Sequence, residues 1–231
     1  MSFNLLHKIK RKLLKLRLQP IRVFCLHHVC AEFDAESMYE EDWMHIDEFK
    51  TKIISMQQDG VRFISLTNAY MHICKDWIRS KRYAVLAFDD GYASLKEILP
   101  WLEQQQIPVT LFINGKYLDG KSYRETPKEK YLMQEELFAI SSPLIEVGSH
   151  GWDHSDASLM TDKEFEESVV KNSQLLSKHP RYIPLYAYAY GRHNDKTDRV
   201  LKELGVIPVL VNGSENYDNV EYIDRIIFEN Y

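Results

Sequence analysis

The sequence predicts an α/β chain folded as a parallel (β/α) barrel, and three observations lead there. Apolar strand-like runs alternate with amphipathic helical stretches from residue 22 to the end, the pattern of a parallel sheet with crossover helices. The chain has 231 residues, which suits one barrel domain of about 200–250 residues with about eight strands. No Gly-x-Gly-x-x-Gly follows the first strand and no Gly-Lys-Ser/Thr loop occurs, so dinucleotide and nucleotide chemistry are set aside.

Taken in order, "RVFCLH" at 22–27 reads as a buried strand, followed by an acidic loop through Glu41. Asp47 is placed to cap a helix through Gln58, with Phe49, Ile53, Ile54 and Met56 as its apolar stripe. "VRFISL" at 61–66 is a second strand, and a helix from Asn68 leads to a third at 83–88. "LKEILPWLEQQ" is helical despite Pro100, and "PVTLFING" at 108–115 is a strand. Residues 116–130, "KYLDGKSYRETPKEK", read as a polar surface loop. A helix at 133–140 precedes "LIEVGSH", and another at 162–178 precedes "PLYAYAYG". The helical "DKTDRVLKELG" then leads into "VIPVLVNG" and finally "DRIIFEN".

Hydrophobic content of 45% and charged content of 27% are globular values. The net charge of −5 gives no case for nucleic acid. It conceals an asymmetry, because residues 1–18 hold six Lys or Arg and no acid, leaving 23 basic against 34 acidic residues elsewhere. Two units are therefore expected, a basic amphipathic arm at 1–19 and a barrel at 20–231. Within residues 3–18, Leu6, Ile9, Leu13 and Leu16 share one helical stripe among cations, which suits peripheral contact with an anionic membrane. Packing of the arm on the acidic barrel is the competing expectation. Cys25, Cys30 and Cys74 lack zinc spacing and fit core or strand-end roles in a reducing compartment. No signal-peptide pattern or membrane-length apolar run is visible, so the expected location is cytoplasmic, peripheral at the inner membrane face if the arm binds there.

The third strand ends in "FDDG", and Asp-Gly is turn chemistry. In a (β/α) barrel, however, residues just past the C-terminal strand ends meet on one face, where catalysis is housed. Asp89 and Asp90, His150 and His154 of "SHGWDH", the "YGRHN" segment and His27 all fall at such ends. Two imidazoles and one carboxylate make a three-ligand site with an open position, suited to Zn²⁺ or a similar divalent ion. A cation also explains adjacent carboxylates, since it turns their repulsion into shared attraction.

On these residues the chain resembles the polysaccharide deacetylase family, the NodB-homology or carbohydrate esterase family 4 group. "AFDDGYAS", "SHGWDH" and "YAYAYGRHN" are similar to its three motifs, the third only partly, and the likeness spans residues 22–229. The resemblance implies a distorted (β/α) barrel and metal-dependent removal of acetyl groups, mostly N-acetyl, from carbohydrates. It implies Asp89 as general base, Asp90, His150 and His154 as ligands of a divalent metal (zinc first), and the Tyr190 backbone amide at the oxyanion. Two features depart from the pattern: Ala187 stands where an arginine usually braces the base, and no histidine follows His193. The branch acting on poly-N-acetylglucosamine is rearranged in a similar way, and "CLHHV" resembles its Tyr-His-x-Val strand with Leu26 for the tyrosine. That implies His27 as general acid and leaves Asp89 with no assigned cation. His28 reads as structural, His193 as either mouth or loop, and Trp152, Tyr186, Tyr188 and Tyr190 as either sugar-stacking or core residues. The expected partner is a glycan or lipid-linked sugar bearing N-acetyl groups. Hydrolysis of a non-sugar amide, or a catalytically weak domain that binds carbohydrate or a partner in glycan assembly, stay open as alternatives.

Overall fold

A computed structural model describes residues 19–75, 80–121, 128–218 and 221–228. Residues 1–18 of the basic arm lie outside the described residues, as do residues 122–127 of the polar excursion. The strands are β1 (Ile21–Leu26), β2 (His28–Cys30), β3 (Trp43–His45), β4 (Val61–Phe63), β5 (Arg82–Phe88), β6 (Val109–Ile113), β7 (Ile145–Ser149), β8 (Tyr182–Ala187), β9 (Ile207–Val209) and β10 (Ile226–Ile227). The helices are α1 (Ile46–Gln58), α2 (Leu66–Lys75), α3 (Leu95–Gln104), α4 (Gln134–Ala139), α5 (Asp162–Leu176) and α6 (Asp195–Glu203).

Eight strands form one parallel sheet in the order β10-β1-β5-β6-β7-β8-β9, with β4 also on β5. β1 covers one flank of β5 from Tyr83 to Phe88, while on the other flank β4 pairs with its first half and β6 with its second. The curl is closed by the segment 223–227. Ile226 and Ile227 pair with Phe24 and Cys25 of β1, and Ile223 bridges to Val209 of β9. Closure by one short strand and one bridge makes the barrel distorted, as the resemblance implies. β2 and β3 pair apart from it as a small two-stranded parallel ribbon.

Strand alternation divides the apolar residues into two layers. Phe24, Leu26, Leu86, Phe88, Leu111 and Val147 face outward under α1, α3 and α4. Ile21, Val23, Val85, Ala87, Leu185 and Val209 face inward, where Leu66, Ala69 and Ile73 of α2 plug one end. That plug corrects two expectations: the strand at 61–66 stops at Phe63, and the helix starts at Leu66 instead of Asn68. Burial of Leu66 inside the barrel outweighs its apolar strand pattern. Buried Glu146 accepts the Thr67 N–H at 3.1 Å, where the positive end of the helix dipole favours a carboxylate.

Other details also differ. α1 is capped by His45, whose Nδ1 accepts the Asp47 N–H at 3.1 Å, so Asp47 sits inside the helix and does not cap it. The excursion at 116–130 turns inward at its described ends. Tyr117 and Leu118 are buried in a 3-10 turn, and Glu129 is buried beneath the Tyr92 and Tyr131 hydroxyls. Tyr186 and Tyr188 pack with Phe165, Val169 and Leu201 between β8, α5 and α6, outside the barrel interior.

Candidate metal centre and active site

Interior positions grade from apolar at the α2 end to polar at the mouth. Along β1 they run Ile21, Val23, Cys25, and along β5 Val85, Ala87, with Asp89 next. The Asp89 N–H donates to Leu26 O at 2.9 Å, extending the β1–β5 ladder one step. The chain then reverses sharply: the Gly91 N–H reaches Asp89 O at 2.8 Å, with φ of 68° at Asp90 and 77° at Gly91. "DDG" is therefore both a turn and a site. The turn aims both carboxyl groups into the mouth, and a Cβ on Gly91 would meet Ile113 Cδ1 at 2.8 Å.

His150 follows β7, and its N–H donates to Ile113 O at 3.0 Å. The segment to His154 is a loop, with φ of 81° at Gly151 and 56° at His154. It is tied down by the Asn114 amide on His150 O at 2.6 Å and by the Tyr117 hydroxyl on Asp153 O at 3.0 Å. Among the described residues, four non-glycines have positive φ, and three of them (Asp90, His154 and Tyr190) belong to this site. Each such conformation costs about 1–3 kcal/mol, which the surrounding contacts must offset.

Asp90 Oδ1 lies 3.4 Å from His150 Nε2 and 3.2 Å from His154 Nε2. Although buried, that oxygen accepts no hydrogen bond. The His150 Nδ1 is 2.8 Å from Ala187 O, which assigns its proton to Nδ1 and leaves the Nε2 lone pair facing Asp90. One ligand atom from each of the three residues lies within 4.8 Å of the others. A buried, unbonded carboxylate oxygen between two imidazoles, one with its Nε2 lone pair turned toward it, is a donor set suited to a divalent cation, so the residues fit one.

Asp89 has a partner that the sequence reading missed. Arg225, fully buried on the closing segment, donates from Nη1 to Asp89 Oδ1 at 2.6 Å. Burial works to raise the Asp89 carboxyl, yet the Arg225 guanidinium and the His150 imidazole outweigh it and hold the group below the ordinary carboxylate range. The Arg225 Nε also donates to Leu210 O at 3.2 Å, fixing the fork. A cation thus braces Asp89 although Ala187 offers none, supplied from the residue that leads into β10. Arg192 does not take that role: its side chain is exposed and pairs with Asp156 at 2.9 Å.

These groups line a cavity of about 430 Å³ with Cys25, His27, Tyr188 and Tyr190. His27 sits between β1 and β2, its Nδ1 3.7 Å from Asp42. Tyr190 is exposed at the rim, its ring 4.5 Å from that of His154. His28 is buried, stacked on Tyr92 at 3.8 Å with Nδ1 2.9 Å from Ser94 Oγ. His193 stacks on Tyr188 and meets Asp198 at 3.0 Å. Trp152 lies under Lys171, whose Nζ is 3.7 Å from the ring centroid.

The chain superimposes on IcaB from Ammonifex degensii with a TM-score of 0.78 and 19% identity, covering 91% of this chain and 92% of that one. The deacetylase PplD of Streptococcus pyogenes, solved with acetate, gives 0.76 at 17% identity, covering 91% and 93%. A de-N-acetylase from Aggregatibacter actinomycetemcomitans gives 0.74 at 16%, covering 90% and 95%. These likenesses establish the fold. A search of curated protein sequences finds no match. The sequence model of the polysaccharide deacetylase family matches residues 78–209, more than half the chain and both motifs that carry Asp90, His150 and His154, and the protein belongs to that family.

Proposed function

We propose that the protein is a metal-dependent hydrolase removing N-acetyl groups from an amino-sugar glycan or a lipid-linked sugar. The observation that carries this reading is the convergence of Asp90, His150 and His154 beside a second, arginine-braced carboxylate in one cavity. A divalent ion, zinc first, held by Asp90, His150 and His154 supplies Lewis acidity to the acetyl carbonyl and to a nucleophilic water.

The remaining steps belong to the chain. Asp89 accepts a proton as the water oxygen bonds to the acetyl carbon. Arg225 keeps that carboxylate ionised and, by holding Oδ1, leaves Oδ2 for the proton. The Tyr190 backbone amide donates to the developing oxyanion, a kind of contact worth about 3–4 kcal/mol. His27, oriented by Asp42, gives a proton to the nitrogen as the C–N bond breaks. Acetate departs and the sugar keeps a free amine. The Tyr190 ring at the rim offers a face on which a sugar can stack. Support for a carbohydrate amide comes from the family and from neighbours whose names describe deacetylases, one of them bound to acetate.

The test is acetate release from N-acetylglucosamine oligomers, read together with bound metal. Asp89→Asn should keep the metal and lose turnover by about 10²–10⁴-fold, while Asp90→Ala should lose the metal itself. Full activity in both variants would overturn the reading. Among the described residues no helix is long and apolar enough to cross a membrane. We further propose that the arm at residues 3–18 makes peripheral contact with an anionic membrane surface. Equal partitioning onto anionic liposomes by the whole chain and by one beginning at Pro20 would refute that.

A further inference from the structure

Beside the Asp90 centre lies a second trio with different chemistry: Cys25, His27 and Asp89. We propose that these three form a separate site for a thiophilic divalent ion, in the same cavity as the first. Alternation along β1 turns Cys25 to the interior, and His27 follows two residues later at the mouth. The β1–β5 register, extended by one step, sets His27 next to Asp89. Each residue offers one ligand atom, all within 4.8 Å of one another, and Cys25 Sγ already stands 3.5 Å from Asp89 Oδ2.

Ligand atoms around a tetrahedral ion stand about 3.3–3.8 Å apart, given bonds of about 2.0–2.3 Å. The Cys25–Asp89 edge meets that length as it stands. His27 must close by about 1.5 Å at most, and its side chain, 23% exposed at a strand end, has room to do so. Arg225 occupies Asp89 Oδ1 and leaves Oδ2 to the site. Its charge works against a nearby cation, and the thiolate is what offsets it. Binding exchanges the Cys25 thiol proton, released to solvent, for the ion. Thiolate with imidazole selects Zn²⁺ or Co²⁺ over the oxygen-seeking Mg²⁺ and Ca²⁺.

One consequence rests on the function proposed above. An ion at this second site takes the carboxylate that would accept the water's proton and the imidazole that would protonate the amine. The enzyme is therefore silenced by an excess of the metal class that activates it.

The experiment is a Co²⁺ titration of the metal-free full chain. Stoichiometry is read by equilibrium dialysis, thiolate ligation by its charge-transfer absorbance, and folding of each variant by circular dichroism. The wild type should take two equivalents, with the thiolate band growing as the second binds. Cys25→Ser should take one without the band, and Asp90→Ala should take one with it. A wild type that binds one equivalent without the band overturns the site, as does a band that survives in folded Cys25→Ser. If Cys25→Ser does not fold, Asp90→Ala decides: one equivalent with the band upholds the site, and no band rejects it. Acetate release is followed in parallel. Activity that falls with the second equivalent upholds the silencing, while a band without that fall keeps the site and rejects the roles given to Asp89 and His27.

Discussion

The rim carrying Asp89, Asp90, His150 and His154 and the seam where β10 meets β1 furnish the same cavity by different means. On the rim, one short turn aims Asp89 and Asp90 and one loop carries His150 and His154, with Asp90 and His154 held at positive φ. At the seam, Cys25 stands on β1, His27 directly follows it and Arg225 directly precedes β10, so their positions depend on parallel pairing between β1, β5 and β10. The rim lies inside the span matched by the family model, while every seam residue lies outside it. Groups fixed by local turns keep a recognisable sequence pattern. Groups fixed by pairing can be supplied from another strand, provided the charge arrives at the same point.

The contrast can be broken most severely at Arg225. Arg225→Met would leave a buried carboxylate without its counter-ion and should cost about 3–5 kcal/mol of stability in urea denaturation. Adding Asp89→Asn should recover much of that loss, because the cost belongs to the orphaned charge and not to the missing side chain. Simple additivity of the two substitutions would show that the seam arginine acts independently of Asp89.

A smaller effect is expected at His28, next to the seam. Burial, aided by the charge of His27, pushes its imidazole down from 6.5 to about 4. The unfolded chain then binds more protons between those values, so this contribution is intact above pH 6.5 and is lost as pH falls toward 4. It amounts to about 3 kcal/mol at most. His28→Gln should flatten the acid limb of a stability-against-pH curve over that window, and an unchanged limb would remove His28 as its source.

The smallest effect is expected at Arg192, in the third motif yet paired with Asp156 at the surface. Arg192→Ala should leave the denaturation midpoint and the bound metal unchanged. A loss of metal would place the motif arginine, and not the seam arginine, in support of the site.

Legibility in the sequence follows the same division. The alternation that marks a parallel barrel is local, and strand-end placement brings Asp89, Asp90, His150 and His154 onto one rim without any knowledge of pairing. Arg225 was not legible because "DRIIFEN" reads as a charged start to an apolar strand, 136 residues from Asp89. Its one signal is parity, since it shares a face with Ile223, which packs inside the barrel. The start of α2 was missed for a related reason: "FISL" continues a strand pattern, and only the barrel's open end claims Leu66. The buried Glu129 was hidden because its stretch is polar, and the tyrosine hydroxyls that hold it come from Tyr92 and Tyr131.

The distance along the chain between Asp89 and Arg225 also orders the protein's assembly. A nascent polypeptide exposes Asp89 long before it exposes the arginine, and an ionised carboxylate resists dehydration without a counter-charge. Docking of residues 223–227 therefore delivers the counter-charge that burial of the Asp89 carboxylate requires in the same step that closes the sheet.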